Sequence, residues 1–250
     1  MASTTVTGAI GTITAKALTA SLTGTASKIY DGTTTATLTA GNLDLAGVLG
    51  TEAVSLTPVT AGTYDTKTVG TGKVVTVTGL TLTGTDAANY TLASTTITGT
   101  IGTITAKALT ASLTGTASKV YDGTGGATLA AGNYSLAGVI GTDNVTLTPL
   151  TAGTYDTKTV GTGKTVTVTG LTLTGTDAAN YTLASSTITG TIGTITAKAL
   201  IASLTGTASK IYDGTTTATL TTGNFGLTGV LGTEAVSLTP VTAGTYDTKT

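Results

Sequence analysis

Apolar and polar residues alternate along much of the chain, and threonine occupies many of the polar positions. In residues 17–24, ALTASLTG, leucine and alanine recur at every second position. Residues 73–84, KVVTVTGLTLTG, form the longest alternating run, with apolar side chains at Val75 and then, out of phase, at Leu80. A period of two is typical of strands with one buried face. The phase changes at Gly79, so we predict a bulge or a bend there.

These alternating runs belong to a long sequence repeat. The segment SKIYDGTTTATL at 27–38 returns as SKVYDGTGGATL at 118–129, and again unchanged at 209–220. Successive copies lie 91 residues apart. Solenoid coils repeat every ~20–50 residues, whereas a small β-sandwich needs about 100 residues. We therefore predict that one repeat is one domain.

The fold class that follows is all-β, with tandem immunoglobulin-like β-sandwich repeats arranged end to end as a rod. Aligning the copies makes residues 1–16 the tail of a preceding repeat, 17–107 and 108–198 two whole repeats, and 199–250 a truncated third repeat. β-Grasp-like units are an alternative fold for each repeat. A β-solenoid is a second alternative, because glycines recur at short and similar intervals within residues 84–115.

Composition removes most catalytic and metal-binding chemistry. The 250 residues include no cysteine, histidine or tryptophan, and all 11 basic residues are lysine. Thiolate and imidazole nucleophiles, imidazole bases and nitrogen–sulfur metal sites are therefore excluded. The spacing of the remaining carboxylates, lysines and hydroxyls indicates no catalytic arrangement. We expect neither an enzyme nor a cofactor.

Charge and hydropathy limit the partners further. The formal net charge is −1, and the lysines are spaced singly. Nucleic-acid binding relies on clustered cations, with arginine as the main reader of bases, so we expect no nucleic-acid partner. Although 39% of the residues are hydrophobic, no uninterrupted apolar run approaches the ~20 residues needed to cross a bilayer. We expect no membrane span.

The Tyr-Asp-Gly motif is the first candidate site. Asp31-Gly32 is a dipeptide that favours tight turns with positive φ, so we predict a hairpin between the strands on either side. The ring of Tyr30 is expected to lie against a neighbouring strand, with its hydroxyl reaching water or a backbone carbonyl. The alternative is a weak glycan site in each repeat, in which the ring of Tyr30 or Tyr64 stacks on a sugar. The other copies of the motif are Tyr121, Asp122 and Gly123, and Tyr212, Asp213 and Gly214.

The segment TDAANYTL, which begins at residue 85 and again at 176, is the second candidate site. In immunoglobulin-type sandwiches, a tyrosine near the start of one strand hydrogen-bonds back across a corner of the fold. Tyr90 would be this tyrosine, with Asp86 four residues before it. The alternative is that Asp86 and Asn89 bind a cation. High-affinity calcium loops gather carboxylates in D-x-D patterns, which the sequence lacks, so we expect no metal site. The second copy of this motif contains Asp177 and Tyr181.

Three stretches together resemble a known family. SKIYDGTTTATL, GTYDTKTVGTGKTVTVTGLTLTGTDAANYTLAS and TITAKAL recur in order with the same spacing. In these motifs, and over essentially its whole length, the chain resembles the YDG-type repeat domain of bacterial filamentous-haemagglutinin-like adhesins and related surface proteins. The resemblance implies a secreted or cell-surface protein in which the repeats form a stalk. It implies no catalytic or cofactor residues.

The sequence therefore leads us to expect a structural spacer of a large adhesin or surface fibre, with weak glycan or cation binding at each repeat as the alternative. The partners of each repeat would be the neighbouring repeats of the same chain. The truncated repeat, 199–250, lacks partners for its early strands. We expect it to be poorly protected in hydrogen exchange, or to associate with another molecule head to tail or through exposed strand edges.

Overall fold

Short strands joined by turns and irregular segments make up the part of the chain that the structure describes. The computed structural model describes residues 4–250, and within them it contains 24 β-strands and five 3₁₀ turns of three residues each. The predicted all-β class and the tandem repeat are confirmed. The described residues contain no helix with the length and hydropathy needed to cross a bilayer.

The same series of strands recurs from copy to copy. The first copy contains β1 (Lys16–Leu22), β2 (Ala26–Ile29), β3 (Thr35–Thr37), β4 (Leu43–Ala46), β5 (Ser55–Leu56), β6 (Ala61–Tyr64), β7 (Gly70–Val77), β8 (Leu82–Thr83), β9 (Tyr90–Leu92) and β10 (Ile97–Thr105). The second contains β11 (Lys107–Leu113), β12 (Ala117–Val120), β13 (Gly126–Thr128), β14 (Tyr134–Ala137), β15 (Thr146–Leu147), β16 (Ala152–Tyr155), β17 (Gly161–Thr169), β18 (Leu173–Thr174), β19 (Tyr181–Leu183) and β20 (Thr187–Thr196). The third contains β21 (Ile201–Leu204), β22 (Thr217–Thr219), β23 (Phe225–Thr228) and β24 (Ala243–Thr245). The 3₁₀ turns are Ala40–Asn42, Ala87–Asn89, Ala131–Asn133, Ala178–Asn180 and Thr222–Asn224.

Each whole copy builds three sheets. In the first copy the strand orders are β4-β1-β9, β2-β10-β7-β6-β3 and β5-β8, and the second copy repeats them as β14-β11-β19, β12-β20-β17-β16-β13 and β15-β18. Within the described residues every sheet takes its strands from one copy, which is not the arrangement of a solenoid. In the first copy two pairings, β1 with β9 and β2 with β10, are parallel, and the second copy repeats them as β11 with β19 and β12 with β20. The alternation of apolar and polar residues does not predict these parallel pairs, and the immunoglobulin-like arrangement stays a prediction.

The alternating pattern places the core correctly. On β7 the buried face carries Val75 and Val77, and the threonine between them is only half-buried. The strand then ends, Gly79 takes a φ of +72°, and Leu80 is buried again. The predicted change of phase is therefore a bend, since φ values of this sign are open mainly to glycine.

The predicted hairpin at Asp31-Gly32 is wrong. Strand β2 pairs with β10 and strand β3 with β6, so the two strands stand at opposite ends of the five-stranded order. Gly32 does have a positive φ, +78°. However, the carboxylate of Asp31 accepts bonds from the backbone N–H of Thr33 (2.9 Å) and from the ammonium of Lys28 (2.7 Å). These bonds close a local turn without the two-residue strand pairing of a hairpin.

Two compact units can be distinguished. Unit 1 holds the described residues up to Thr110, together with Leu136–Thr148 and Thr172–Ala184. It therefore combines the five-stranded sheet of the first copy with parts of the second. Its core includes Tyr30 and Tyr64 from the first copy, and Leu109, Val145 and Tyr181.

Unit 2 holds Ala111–Ser135, Pro149–Leu171 and Ser185–Thr250. It contains the five-stranded sheet of the second copy and the strands of the third, which form two-stranded sheets only. Both units thus draw on two sequence copies. The predicted bounds 17–107, 108–198 and 199–250, and the weak protection of the last segment, stay predictions.

Candidate functional site: a tyrosine–carboxylate junction between copies

The Tyr30 side chain lies inside unit 1. Tyr30 directly follows β2. Its backbone N–H donates to the carbonyl of Thr105 at 2.8 Å, which continues the parallel pairing with β10. The side chain is 1% exposed, and its ring meets the ring of Tyr181 edge to face, with 5.3 Å between the centroids. Such T-shaped pairs are favourable beyond the area they bury. Tyr30 therefore contacts the second copy directly.

A carboxylate of the second copy receives the Tyr30 hydroxyl. Tyr30 donates to Oδ2 of Asp143 at 2.8 Å, and Tyr181 donates to the same oxygen at 2.6 Å. The side chain of Asp143 is only 11% exposed, and the ammonium of Lys67 stands 3.9 Å from its other oxygen. The expected bond from Tyr30 to water or a backbone carbonyl is therefore wrong. A carboxylate is the stronger acceptor, because it carries charge.

The electrostatics of the site favour an ionised aspartate between two neutral phenols. The hydrogen bonds from Tyr181 and Tyr30 lower the pKa of Asp143; burial opposes them, and Lys67 assists them. Burial raises the pKa of Tyr30, and the bond to Asp143 raises it further. The pKa of Tyr181 is raised by the same two causes, in the same order. Asp143 therefore stays ionised, and both phenols stay neutral, over a wide range of pH.

Backbone and apolar contacts surround this hydrogen bond. The N–H of Val69, in the first copy, donates to the side-chain oxygen of Asn180, in the second, at 3.0 Å. A Cβ added to Gly32 would stand 3.1 Å from the Cγ2 of Ile140. The turn after Tyr30 therefore approaches the second copy closely. Glycine at position 32 permits both the positive φ and this close approach.

The same contact recurs inside unit 2. Tyr121 donates its hydroxyl to the carboxylate of Glu234, and the sequence separation is 113 residues, as for Tyr30 and Asp143. The bond that Tyr121 donates to Glu234 raises the pKa of Tyr121, with burial as the second cause. We call the tyrosine of each Tyr-Asp-Gly turn the docking tyrosine. We call residues 49–52, 140–143 and 231–234 the acceptor loops, each ending in its acceptor carboxylate, namely Glu52, Asp143 or Glu234.

The Asp-Gly half of the first motif has a local role. Asp122 and Asp213 repeat the turn of Asp31, each accepting from the lysine three residues before it and the threonine two residues after it. The lysine bonds, followed by the threonine bonds, lower the pKa of both aspartates to about 2. At Asp31 burial opposes ionisation, yet the bonds from Lys28 and Thr33 still lower its pKa. These aspartates hold the turn that presents the docking tyrosine.

The second motif fixes the acceptor loop of its own copy. Tyr90 donates to Glu52 and accepts from the N–H of Leu49 at 3.1 Å, so the backbone group it meets is 41 residues upstream. Asp86 accepts from the N–H of Ala53 at 2.8 Å. In the second copy, Tyr181 and Asp177 make the equivalent bonds to Ile140 and Asn144. Among residues 4–250 no group of three or more histidine, cysteine or acidic side chains is placed to hold a metal ion.

The acceptor carboxylates are not among the residues that the sequence motifs predict. The only signal was their recurrence at the 91-residue period, after Gly-Thr, as glutamate, aspartate and glutamate. The sequence motifs also do not predict that the two candidate sites meet, although Tyr30 and Tyr181 share one aspartate oxygen.

Comparison with known proteins identifies the repeat. The family model described as the YDG domain matches residues 14–97, 105–189 and 196–250. No curated protein and no solved structure matches the chain. The chain belongs to the YDG domain family and contains its domain three times in tandem.

Proposed function

We propose that the chain is a non-catalytic spacer segment of a large secreted or cell-surface bacterial adhesin or fibre. In this proposal the repeats hold another part of the protein away from the cell, and the number of copies sets the distance. The tandem YDG domains support the proposal. Repeats that contact only their neighbours can be added without altering the others, which suits a spacer.

The observation that carries the proposal is the repeated junction. Tyr30 bonds to Asp143 in unit 1, and Tyr121 bonds to Glu234 in unit 2, with the same sequence separation. The peptide chain already joins each copy to the next, and the junction adds a contact that resists their separation under tension. Hydrogen bonds to charged groups are about twice as strong as neutral ones, so a buried phenol–carboxylate bond is a suitable attachment.

The glycan alternative receives less support from the same residues. Tyr30 and Tyr64 are both buried, and their hydroxyls are bonded to Asp143 and to the carbonyl of Ala26. A sugar stacks on an exposed ring face, which neither tyrosine offers. A glycan array probed with the full chain tests this alternative. Reproducible binding that is lost on combining Tyr30→Ala with Tyr121→Ala would contradict the spacer proposal.

Single-molecule force spectroscopy tests the spacer proposal directly. The full chain is pulled from its two ends, and Tyr30→Phe is compared with the wild type. We expect a lower unfolding force for the unit that contains the first junction, with an unchanged contour length. Tyr64→Phe is the matched control, because it removes a tyrosine hydroxyl from the same copy but from a bond inside that copy. Equal unfolding forces for the wild type and Tyr30→Phe would contradict the proposal.

A further inference from the structure

An apolar groove lies between two strands of the first copy that belong to different sheets. Strand β4 is an edge of the sheet β4-β1-β9, and β5 forms a two-stranded sheet with β8. The groove has a volume of about 270 Å³, and its apolar lining consists of Ala40, Leu43, Leu45, Val54, Leu56 and Pro58. Pockets that hold drug-sized ligands begin at ~300 Å³. This groove therefore suits a small ligand, such as one aromatic ring.

The rim of the groove is exposed in a copy that has neighbours as well. The second copy has one copy before it and one after it in the chain. Three exposed residues that line the groove of the first copy have exposed counterparts there, namely Asp44 with Ser135, Ser55 with Thr146, and Pro58 with Pro149. The exposure of this rim therefore belongs to the repeat itself and does not depend on the position of the repeat in the chain.

The second copy carries an aromatic ring at the position of Leu43. Tyr134 begins β14, as Leu43 begins β4. Its side chain is half-buried, and its hydroxyl donates to the carbonyl of Leu150 at 2.6 Å. Burial raises the pKa of this phenol, which agrees with a ring covered by protein. Leu150 follows Pro149, which is the counterpart of Pro58. The ring of Tyr134 therefore crosses the interval that corresponds to the groove between Leu43 and Pro58.

The first copy has the same interval without the ring. Leu43 has no hydroxyl with which to reach the carbonyl of Val59, the counterpart of Leu150. The side chains of Leu43, Leu45 and Leu56 are half-buried, so part of their apolar surface stays in contact with water. Removing such surface from water is favourable. A ring that lay in the groove would cover this surface and would place a hydroxyl near the carbonyl.

We propose that the groove of the first copy binds a phenol ring from outside the repeat. The ring lies on the leucine side chains, and the phenol hydroxyl donates to the carbonyl of Val59, as the hydroxyl of Tyr134 donates to Leu150. The lining of the groove includes no docking tyrosine and no residue of an acceptor loop. The inference therefore goes beyond the proposed spacer function and does not depend on the junction.

Amide NMR spectra of the isotope-labelled full chain, titrated with phenol, test the inference. The titration should reach about 20 mM, because one ring in an open groove binds weakly. We expect saturable shifts at Asp44 and Ser55; residue 44 differs between the copies, so its signal reports the first copy alone. Anisole has the same ring but no hydroxyl hydrogen to donate, and it should bind about fivefold more weakly. Shifts that do not saturate, or equal affinity for the two compounds, would overturn the inference.

Reciprocal variants exchange the residues of the two copies. Leu43→Tyr places the ring of the second copy in the groove of the first and should abolish the shifts at Asp44. Tyr134→Leu removes that ring from the second copy and should add phenol-dependent shifts at Ser135 and Leu150. Leu43→Met is the control, because it keeps a flexible apolar side chain without a ring, and it should bind phenol as the wild type does. The inference fails if Leu43→Tyr keeps the shifts, if Leu43→Met loses them, or if Tyr134→Leu gains none.

A free phenol and the tyrosine side chain of a partner protein present the same ring. N-acetyltyrosinamide distinguishes these sources, because it carries a peptide group on either side of the tyrosine. Binding as tight as that of phenol supports a protein partner, whereas binding of phenol alone supports a free phenol as the ligand. The proposed function is tested separately by Tyr30→Phe. If that variant lowers the unfolding force of unit 1 while neither compound binds the wild type, the spacer proposal stands and this inference is overturned.

Discussion

Tyr30→Phe removes one hydroxyl from the first junction and leaves the ring in place. The lost bond is 2.8 Å long and joins a tyrosine that is 1% exposed to a carboxylate whose side chain is 11% exposed. A hydrogen bond to a charged group contributes about 1.5–3 kcal/mol. Asp143 keeps the bond from Tyr181, so its charge still has a donor. We therefore expect a loss near the lower end of that range, about 1.5–2 kcal/mol in the free energy of unfolding of unit 1.

Thermal unfolding followed by circular dichroism at pH 7 measures this loss. For a unit of this size, each kcal/mol lowers Tm by about 4 °C, so the transition of unit 1 should fall by about 6–8 °C. Tyr64→Phe is the control, because it removes a buried hydroxyl whose acceptor is the neutral carbonyl of Ala26. Its cost should be smaller, about 0.5–1.5 kcal/mol. Tyr212→Phe should leave Tm unchanged, because the Tyr212 side chain is 72% exposed.

A double-mutant cycle shows whether the loss belongs to the junction. Tyr30→Phe, Asp143→Ala and the double variant should give a coupling energy of about 1 kcal/mol or more, because each single change removes the same bond. Additive losses would mean that the two side chains do not interact. That outcome, or a fall in Tm of less than about 2 °C for Tyr30→Phe, would refute the reasoning about the junction.

Three further predictions concern pH and packing. The stability that Asp143 contributes is fully present above the ordinary pKa of an aspartate, about 4, and is lost as pH falls through its lowered pKa in the folded chain. The stability that Tyr30 contributes is fully present below the ordinary pKa of a tyrosine, about 10, and is lost as pH rises through its raised pKa in the folded chain. Urea unfolding across pH should show the difference between wild type and Tyr30→Phe shrinking outside this window; a difference independent of pH would contradict this. Gly102→Ala should lower the free energy of unfolding by about 3 kcal/mol in a thermal melt, because its Cβ would stand 2.7 Å from a ring carbon of Tyr64. Gly70→Ala is the control and should cost little, because its Cβ meets open space. Equal losses in the two variants would contradict the packing argument. Asn42→Ala should cost about 2–3 kcal/mol by urea unfolding, since its buried amide bonds three backbone groups, and a neutral result would show that water replaces it.

The sequence predicts local structure well because its alternation is local. Val75 and Val77 lie on the buried face of β7, and the strand bends at the glycine where the pattern changes phase. The pairing partners of the strands cannot be predicted in this way. β2 pairs with β10, whose residues follow more than seventy positions later, and nothing in the alternation of β2 indicates that choice. The Asp31-Gly32 dipeptide therefore predicts a hairpin, although the side chains of Lys28 and Asp31 close a turn that needs no strand pairing.

The junction could not be predicted from the sequence for a related reason. Glu52 stands in a short exposed loop and resembles any solvated carboxylate. Its counterparts Asp143 and Glu234 become acceptors only because a tyrosine 113 residues earlier reaches them. That separation exceeds the repeat period, so the contact joins different parts of two successive copies. A motif search finds each half of the contact at its own position, and only the folded chain shows that they meet.

The acceptor carboxylate is oriented by its own copy before the neighbouring copy arrives. In the first copy Tyr90 already bonds to Glu52 and to the N–H of Leu49, although that loop is exposed. Ordering a side chain at an interface costs about 0.5–1.5 kcal/mol, and an acceptor that is already ordered avoids that cost. The docking tyrosine is held by an equally local device, the aspartate turn that follows it. Each whole copy therefore carries one preformed tyrosine and one preformed carboxylate, so duplicating the repeat also duplicates the means of joining it to the next.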